Sequence, residues 1–510
     1  MEANRHGGRY RHYLLALALA ALSLAPAGAD VVEQGPKDSA PSGLLAGVAR
    51  ADITPPVGIA QLNWGSQTHI YSVGNDPAGM VATALVLANG GQKFVMVDVD
   101  ALLISPFEPA IDRAARETGI PASHIRLAAT HTHAGPNLSA AKGPAGVDLS
   151  PQLDMIHRYQ QQVVDKIVGI IIEANANLKP AHIFGGRGEG SINVNRRFRA
   201  NGDDPPAVGR NPDGLVDREL VVFRIDDASG KTIAVLANYQ CHGTVLAYEN
   251  KYISPDWPGM TRKVIEQAFP GALSLFFQGA AGNQGPIEGF TGDLGVAHRL
   301  GSILGHQAAA VALEIETVRR EPTFEGFVES TAYQAKQHWR VKGPRDATLK
   351  LAHKKIDLPR RTYTNEEISA MTARVEDAKR KLAAAEASGD DWKKLQAGAR
   401  VRRFGDLLHN WTQPPDPSPV QLEVRVLRIG EVCIVSMPGE QFAEIGQAIK
   451  RASPFKYTMY AGYSSGEGGD YMPTDAEYSF GGYEIERTPY GKGAADKLIR
   501  ETIAMFEDVK

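Results

Sequence analysis

The sequence predicts an α/β fold: a mixed β-sheet core flanked by helices, with a helical excursion on the surface. Three observations predict it. Short apolar runs bounded by Gly, Pro and Asn alternate with longer segments whose apolar residues recur at helical spacing. Several of those runs end in a break followed at once by a histidine or glutamate, as strand ends do in α/β folds. Hydrophobic residues make up 43% and charged residues 22% of the 510, the balance of an ordinary packed chain.

The elements follow in order. Arg5, Arg9 and Arg11 precede the apolar run from Tyr13 to Leu24, and Ala25-Pro-Ala27-Gly-Ala29 supplies small residues for cleavage. This reads as a secretory signal over 1–29, cut after Ala29, so the expectation is a secreted or periplasmic protein. No cysteine stands at the cut, and no later run approaches the ~20 apolar residues of a membrane span. Residues 30–43 read as a mobile polar leader and 44–510 as the folded domain. Its first conspicuous stretch is Gly47-Val-Ala-Arg-Ala-Asp-Ile-Thr-Pro55.

Val81 to Ala88 and Lys93 to Asp100 form two expected strands around Asn89-Gly-Gly91. Pro109 to Thr118 is helical in pattern. Ser150 to Asn177 carries Ile156, Val163, Val164, Ile167 and Ile171 on one face of a helix. Leu220 to Asp226, Lys231 to Cys241 and Leu273 to Gln278 are further strands, and Asp293 to Ile315 is a helix. From Asn365 to Leu382, Ile368, Met371, Val375 and Leu382 recur among many charges, which predicts a surface helical hairpin over about 365–400 turning near Ser388-Gly-Asp390. Leu422 to Leu427 and Val432 to Met437 are late strands. Cys241 and Cys433 each lie in an apolar run, so a disulfide and two buried thiols are both open.

The candidate chemistry centres on Arg126-Leu-Ala-Ala-Thr-His131-Thr-His133-Ala-Gly-Pro136. Side chains two apart on a strand share a face, so His131 and His133 are expected to lean into one pocket. His242, in Asn238-Tyr-Gln-Cys-His242-Gly-Thr244, again stands at the end of an apolar run. Glu440 follows the break in Met437-Pro-Gly-Glu440. Taken alone, such a glutamate is ordinarily a helix N-terminal residue facing the dipole. Two imidazoles and a carboxylate at three strand ends match the ligand inventory of a catalytic zinc with one open position.

Here the chain resembles the neutral/alkaline (non-lysosomal) ceramidases, secreted zinc amidases, over most of its length. Thr130-His-Thr-His133-Ala-Gly-Pro136, Asn195-Arg196, His242-Gly-Thr244, Pro438-Gly-Glu440, Tyr471-Met-Pro-Thr474, Glu477-Tyr478 and Tyr483-Glu484 recur in the family's order. The resemblance implies a Zn2+ ion held by His131, His242, Glu440 and Tyr471. It implies that His133 and Arg196 contact the scissile group and that His133 or Tyr478 passes a proton to the leaving amine. The implied activity is cleavage of a linear amide, an N-acyl amine of ceramide-like type, by a zinc-bound hydroxide. Two departures matter. The family's Gly-Asp-x-Ser-Pro-Asn is here Gly282-Asn-Gln-Gly-Pro286-Ile287, so Gly285 stands at the serine. The chain also stops soon after Tyr483-Glu484, which predicts the N-terminal catalytic domain without a following β-sandwich.

Other readings compete. Gly462-Tyr-Ser464-Ser-Gly466 matches a nucleophile elbow, but the last histidine, His409, precedes it, so the triad order fails. A Gly/Ser loop near the metal pocket is the expectation there. A His-x-His also opens the metal site of TIM-barrel amidohydrolases, and a non-catalytic secreted protein on the same scaffold is a third reading. Gly185-Gly-Arg-Gly188-Glu-Gly190 lacks the Lys-Ser/Thr of a phosphate cradle. His298, His306, His338, His353 and His409 read as surface or hydrogen-bonded residues. A net charge of −3 without a basic stripe argues against nucleic acid. The expected partner is a small-molecule or lipid amide, with a transient membrane-surface contact compatible with it. The sequence leaves the oligomeric state open.

Overall fold

Gly90 and Gly91 both take positive φ, 56° and 82°, which lets the chain reverse in a tight hairpin. That hairpin joins β2 to β3 in a sheet whose strands, in chain order, are β1 (Leu45–Asp52), β2 (Val81–Asn89), β3 (Gln92–Val99), β4 (Ile125–Ala129), β5 (Lys179–Glu189), β6 (Glu219–Asp227), β7 (Thr232–Tyr239) and β8 (Leu273–Gln278). The computed structural model describes residues 43–138, 144–200, 205–414 and 416–510. The expected signal over 1–29 and the leader up to residue 42 lie outside the described residues.

The eight strands run in the order β8-β7-β6-β5-β1-β2-β3-β4. The two outermost pairs, β7–β8 and β3–β4, are parallel and the rest antiparallel. A second sheet holds β9 (Leu349–Leu358), β10 (Val420–Ile429), β11 (Val432–Ser436) and β12 (Tyr457–Ala461), with β11–β12 parallel. Phe184 and Phe223 of the large sheet share one apolar cluster with Leu427, Ile434 and Met459 of the small one. Strands buried on both faces explain the unbroken apolar runs in β6 and β7.

Helices cover the outer faces. α2 (Ser150–Ala176) lies on β1 and β2, with Ile156, Val163, Ile167 and Ile171 as its buried anchors, and α1 (Pro109–Thr118) packs on α2 and β4. α3 (Asp256–Ala268) and α4 (Leu294–Glu314) cover the other half of the large sheet. α5 (Asn365–Ser388) and α6 (Asp391–Trp411) form the helical excursion; α7 (Ala443–Ala452) and α8 (Ala494–Val509) cover the small sheet. Thr364 caps α5 with a reciprocal Thr364–Glu367 box.

The α/β expectation holds. The open sheet with two edges and mostly antiparallel pairing is not a TIM barrel, which needs eight parallel strands closed on themselves. The excursion runs to Trp411, past the expected 400, because Trp411 stacks on Tyr363 with ring centroids 4.5 Å apart. The glycine-rich run 185–190 overlaps β5; a Cβ at Gly188 would come 2.6 Å from Val311, so the glycines let α4 lie close to the sheet. A hairpin over Arg319–Val328 and Gln334–Gly343 carries little burial and gave no apolar signal. Cys241 and Cys433 are both free and buried. Among the described residues no helix is long and apolar enough to cross a membrane.

Candidate metal centre

The carboxyl ends of β4, β7 and β11 converge. β4 stops at Ala129, and the backbone turns at His131, whose φ of 63° is left-handed. That conformation costs a non-glycine residue roughly 1–3 kcal/mol and persists where its surroundings enforce it. His131 and His133 do share a pocket, their ring centroids 4.8 Å apart. The cause is this turn and not strand alternation, because neither residue lies in the strand. Thr132 bridges to Gly243, and a Cβ at Gly243 would sit 2.6 Å from the His131 carbonyl. Glycine after His242 is what lets the two histidine-bearing segments touch.

Backbone carbonyls fix both rings. His131 Nδ1 lies 2.7 Å from the Leu102 carbonyl, and His242 Nδ1 lies 2.7 Å from the Ala281 carbonyl. Each Nδ1 must carry the proton to donate, which leaves each Nε2 with a lone pair. Glu440 Oε2 lies 3.5 Å from His131 Nε2 and 3.0 Å from His242 Nε2. Three acceptors thus meet at one point. Ligands of a tetrahedral zinc stand about 3.3 Å from each other, given bonds of about 2.0–2.1 Å. His242 Nε2 and Glu440 Oε2 are buried without a hydrogen-bond donor, and the arrangement fits a metal cation.

His133 is also close: its Nε2 is 3.2 Å from His131 Nε2, and the metal-binding atoms of His131, His133 and His242 all lie within 4.8 Å of one another. Proximity alone would make His133 a ligand. The hydrogen bond separates it: His131 Nε2 carries no proton, so His133 Nε2 donates across the 3.2 Å, and the His133 lone pair lies on its buried, unpartnered Nδ1. Tyr471 stands beside Glu440, because the two residues pair in a short parallel bridge. The Arg196 guanidinium lies 5.4 Å from the Tyr471 ring centroid and donates to Glu484 at 3.0 Å. Arg196 is buried, not a surface residue, and its Nη2 has no partner. Gly285 lies against it; a Cβ there would be 3.2 Å from Arg196 Cβ. Tyr478 stands apart from the histidines: its hydroxyl donates to the Tyr490 carbonyl at 2.7 Å.

The electrostatics match. Burial pushes His131 and His133 down, and takes His242 to about 3, with Arg196 adding to the effect at His242. All three are neutral and able to ligate at pH 7. Burial alone would raise Glu440, but His131, His242 and Arg196 bring it below the usual carboxylate range. Burial, with Glu440 beside it, pushes the Tyr471 phenol well up, so Tyr471 needs a nearby cation before it can ligate as phenolate.

Three contributors escaped the sequence reading. Tyr463 packs its ring 4.4 Å from that of His131, and its hydroxyl is buried without a partner. It sits in the Gly462–Gly466 loop at a left-handed φ of 54°. Trp64 lies 5.0 Å from the His133 ring. Glu484, 1% exposed, ties Arg196 to Arg197. The buried Glu among arginines was the available signal for the last of these.

Comparison with known proteins bears on the family and the fold. Residues 44–290 match the family described as neutral/alkaline non-lysosomal ceramidase, N-terminal. The neutral ceramidase of Pseudomonas aeruginosa is 33% identical over 168 residues, 32% of this chain and 24% of that protein. Neutral ceramidase A of Dictyostelium discoideum is 29% identical over 153 residues, 30% of this chain and 21% of that protein. These alignments thus span about a quarter of the relatives' own length or less. The crystal structure of the Pseudomonas aeruginosa neutral ceramidase superposes with a TM-score of 0.63 at 20% identity, covering 92% of this chain and 75% of that one. That likeness establishes the fold and, at 92% of the chain, covers far more than the matched region. The family match thus spans residues 44–290, just under half of this chain, on a fold like that of the solved neutral ceramidase.

Proposed function

We propose that this protein is a secreted zinc-dependent amidohydrolase that cleaves a linear amide, an N-acyl amine of ceramide-like type. One observation carries the reading. Two carbonyl-oriented imidazoles and a carboxylate aim three acceptor atoms at a single point, beside an arginine with a free buried N–H. His131, His242 and Glu440 would hold the metal, with Tyr471 as the fourth ligand. When bound, zinc supplies Lewis acidity that acidifies water and polarises a carbonyl.

The remaining work falls to the protein. Arg196, anchored by Glu484, offers Nη2 to an oxygen that gains charge, a task worth about 3 kcal/mol per donor. His133, neutral and with Nδ1 unpartnered, can take a proton on that nitrogen and deliver one from Nε2. The Tyr463 hydroxyl, also unpartnered, offers a second donor or acceptor at the same pocket. Gly285 packs closely against Arg196, where a side chain would crowd it, and no serine is required for attack. Relatives named neutral ceramidases, and a solved structure entitled ceramidase complexed with C2, support a lipid amide substrate. The expected signal over residues 1–29 supports secretion.

The test is hydrolysis of N-acyl amines of graded acyl length, with zinc and after chelation. Chelator-sensitive release of free amine supports the reading. Stoichiometric zinc with no turnover on any member contradicts it and favours a non-catalytic role on this scaffold.

A further inference from the structure

His242 follows β7 of the large sheet and Glu440 follows β11 of the small one, so their 3.0 Å approach needs a link between the two sheets. Residues 281–283, soon after β8, supply it, and each touches a different part of the metal centre. The Ala281 carbonyl orients His242. The Gly282 N–H donates to the Gln441 carbonyl at 2.9 Å, and a Cβ at Gly282 would fall 2.3 Å from the Glu440 carbonyl. The Asn283 carbonyl accepts the Arg196 N–H at 2.9 Å.

The Asn283 side chain, in a residue only 1% exposed, ties this turn to the Glu440 segment. α7 begins three residues after Glu440, and its N-cap, Phe442, makes no side-chain cap. Asn283 Oδ1 takes that place from elsewhere in the chain, accepting the Ala443 N–H at 2.9 Å. A backbone N–H can only donate, so it fixes which end of the amide is oxygen. Asn283 Nδ2 then donates to Glu444 Oε2 at 2.9 Å. Burial raises the Glu444 carboxyl, while its own N–H and the Asn283 amide act against that. Asn283 thus serves the His242 side with its backbone and the Glu440 side with its amide.

From these contacts we propose that Asn283 is a positioning residue of the metal centre: paired with Glu444 and capping α7, it sets the separation of His242 Nε2 from Glu440 Oε2. The inference rests on the proposed metal site and names the device that holds its two halves in register. Metal cages tolerate errors of only about 0.2 Å in ligand distance, so a loosened link should be read first in metal affinity.

Zinc competition against a chromogenic chelator, on the whole protein, provides the test. Asn283→Asp keeps an acceptor for the Ala443 N–H but sets a second carboxyl group against Glu444. Zinc affinity should fall by about tenfold. Asn283→Asp/Glu444→Gln restores a donor–acceptor pair with the roles exchanged, and affinity should return to within about threefold of wild type. Glu444→Ala removes the acceptor at a helix position that favours alanine, and should weaken zinc by about threefold or more. Wild-type affinity in Asn283→Asp or in Glu444→Ala overturns the inference, as does a double variant no better than Asn283→Asp. A lower thermal midpoint of metal-free Asn283→Asp with zinc affinity unchanged would make the residue structural only. Wild-type protein that takes up no zinc would instead remove the metal site itself, and this inference with it.

Discussion

Two buried clusters of basic side chains flank β4, and the atoms left without partners in them are of opposite kind. After its carboxyl end, His131 and His242 are neutral, and His242 Nε2 and Glu440 Oε2 present lone pairs that have no donor. Near its start, Arg126 presents N–H groups that have no acceptor. Both clusters are rich in nitrogen and both are buried. What separates them is which atoms lack partners, and that inventory, not residue class, tells ligand atoms from donors. Imidazoles lose their protons on burial and can become ligands; guanidinium groups keep theirs and remain donors.

Changes at the metal cluster should have the largest effect. Glu440→Gln keeps the shape and removes the charge, so zinc content should fall well below one equivalent. kcat/KM should then drop by roughly 10³-fold. Full zinc occupancy in this variant would break the comparison at its stronger side. Tyr463→Phe should leave zinc content intact and lower kcat by about 10²-fold, since it removes only an unpartnered hydroxyl at the pocket. A wild-type kcat would make Tyr463 a packing residue.

Asp256 sharpens the contrast, as a buried group that settles its charge by taking up a proton. Burial raises it to about 7, against the Leu246 and Trp257 N–H groups that donate to it. Its folded pKa exceeds the unfolded value of 3.8, so the native state binds more protons between about pH 4 and 7. Its contribution is therefore present below pH 4 and lost as pH rises to 7. Urea unfolding of Asp256→Asn against pH should show a flatter profile than wild type across that window, and an unchanged slope would assign it to other groups. The smallest effect is expected at Tyr478→Phe, less than about twofold in kcat, because that hydroxyl serves the Tyr490 carbonyl. A loss beyond tenfold would return Tyr478 to the proton path.

The legible parts of the chain were those written in local periodicity. α1 began and ended as its pattern indicated, and β2, β3, β6, β7 and β8 were visible because sheets buried on both faces read as apolar runs. β5 was hidden by its glycines, whose reason is the approach of α4 from elsewhere in the chain. The hairpin at 319–343 was hidden because its side chains are exposed. At the site, the histidines and Glu440 were readable from breaks after strands. Nothing local marked Arg196 as buried, since the Glu484 that anchors it lies 288 positions away. Tyr463 and Arg126 were unreadable for the same reason: their meaning lies in partners they lack, which only the folded arrangement reveals.

The central claim is a single divalent cation at the meeting of β4, β7 and β11. Anomalous diffraction at the zinc edge, on protein loaded with one equivalent, tests it without any assay of turnover. One peak within about 2.0–2.3 Å of His131 Nε2, His242 Nε2, Glu440 Oε2 and Tyr471 Oη is the predicted result. Zinc bound elsewhere, or centred on His133 with Glu440 turned away, would contradict the account.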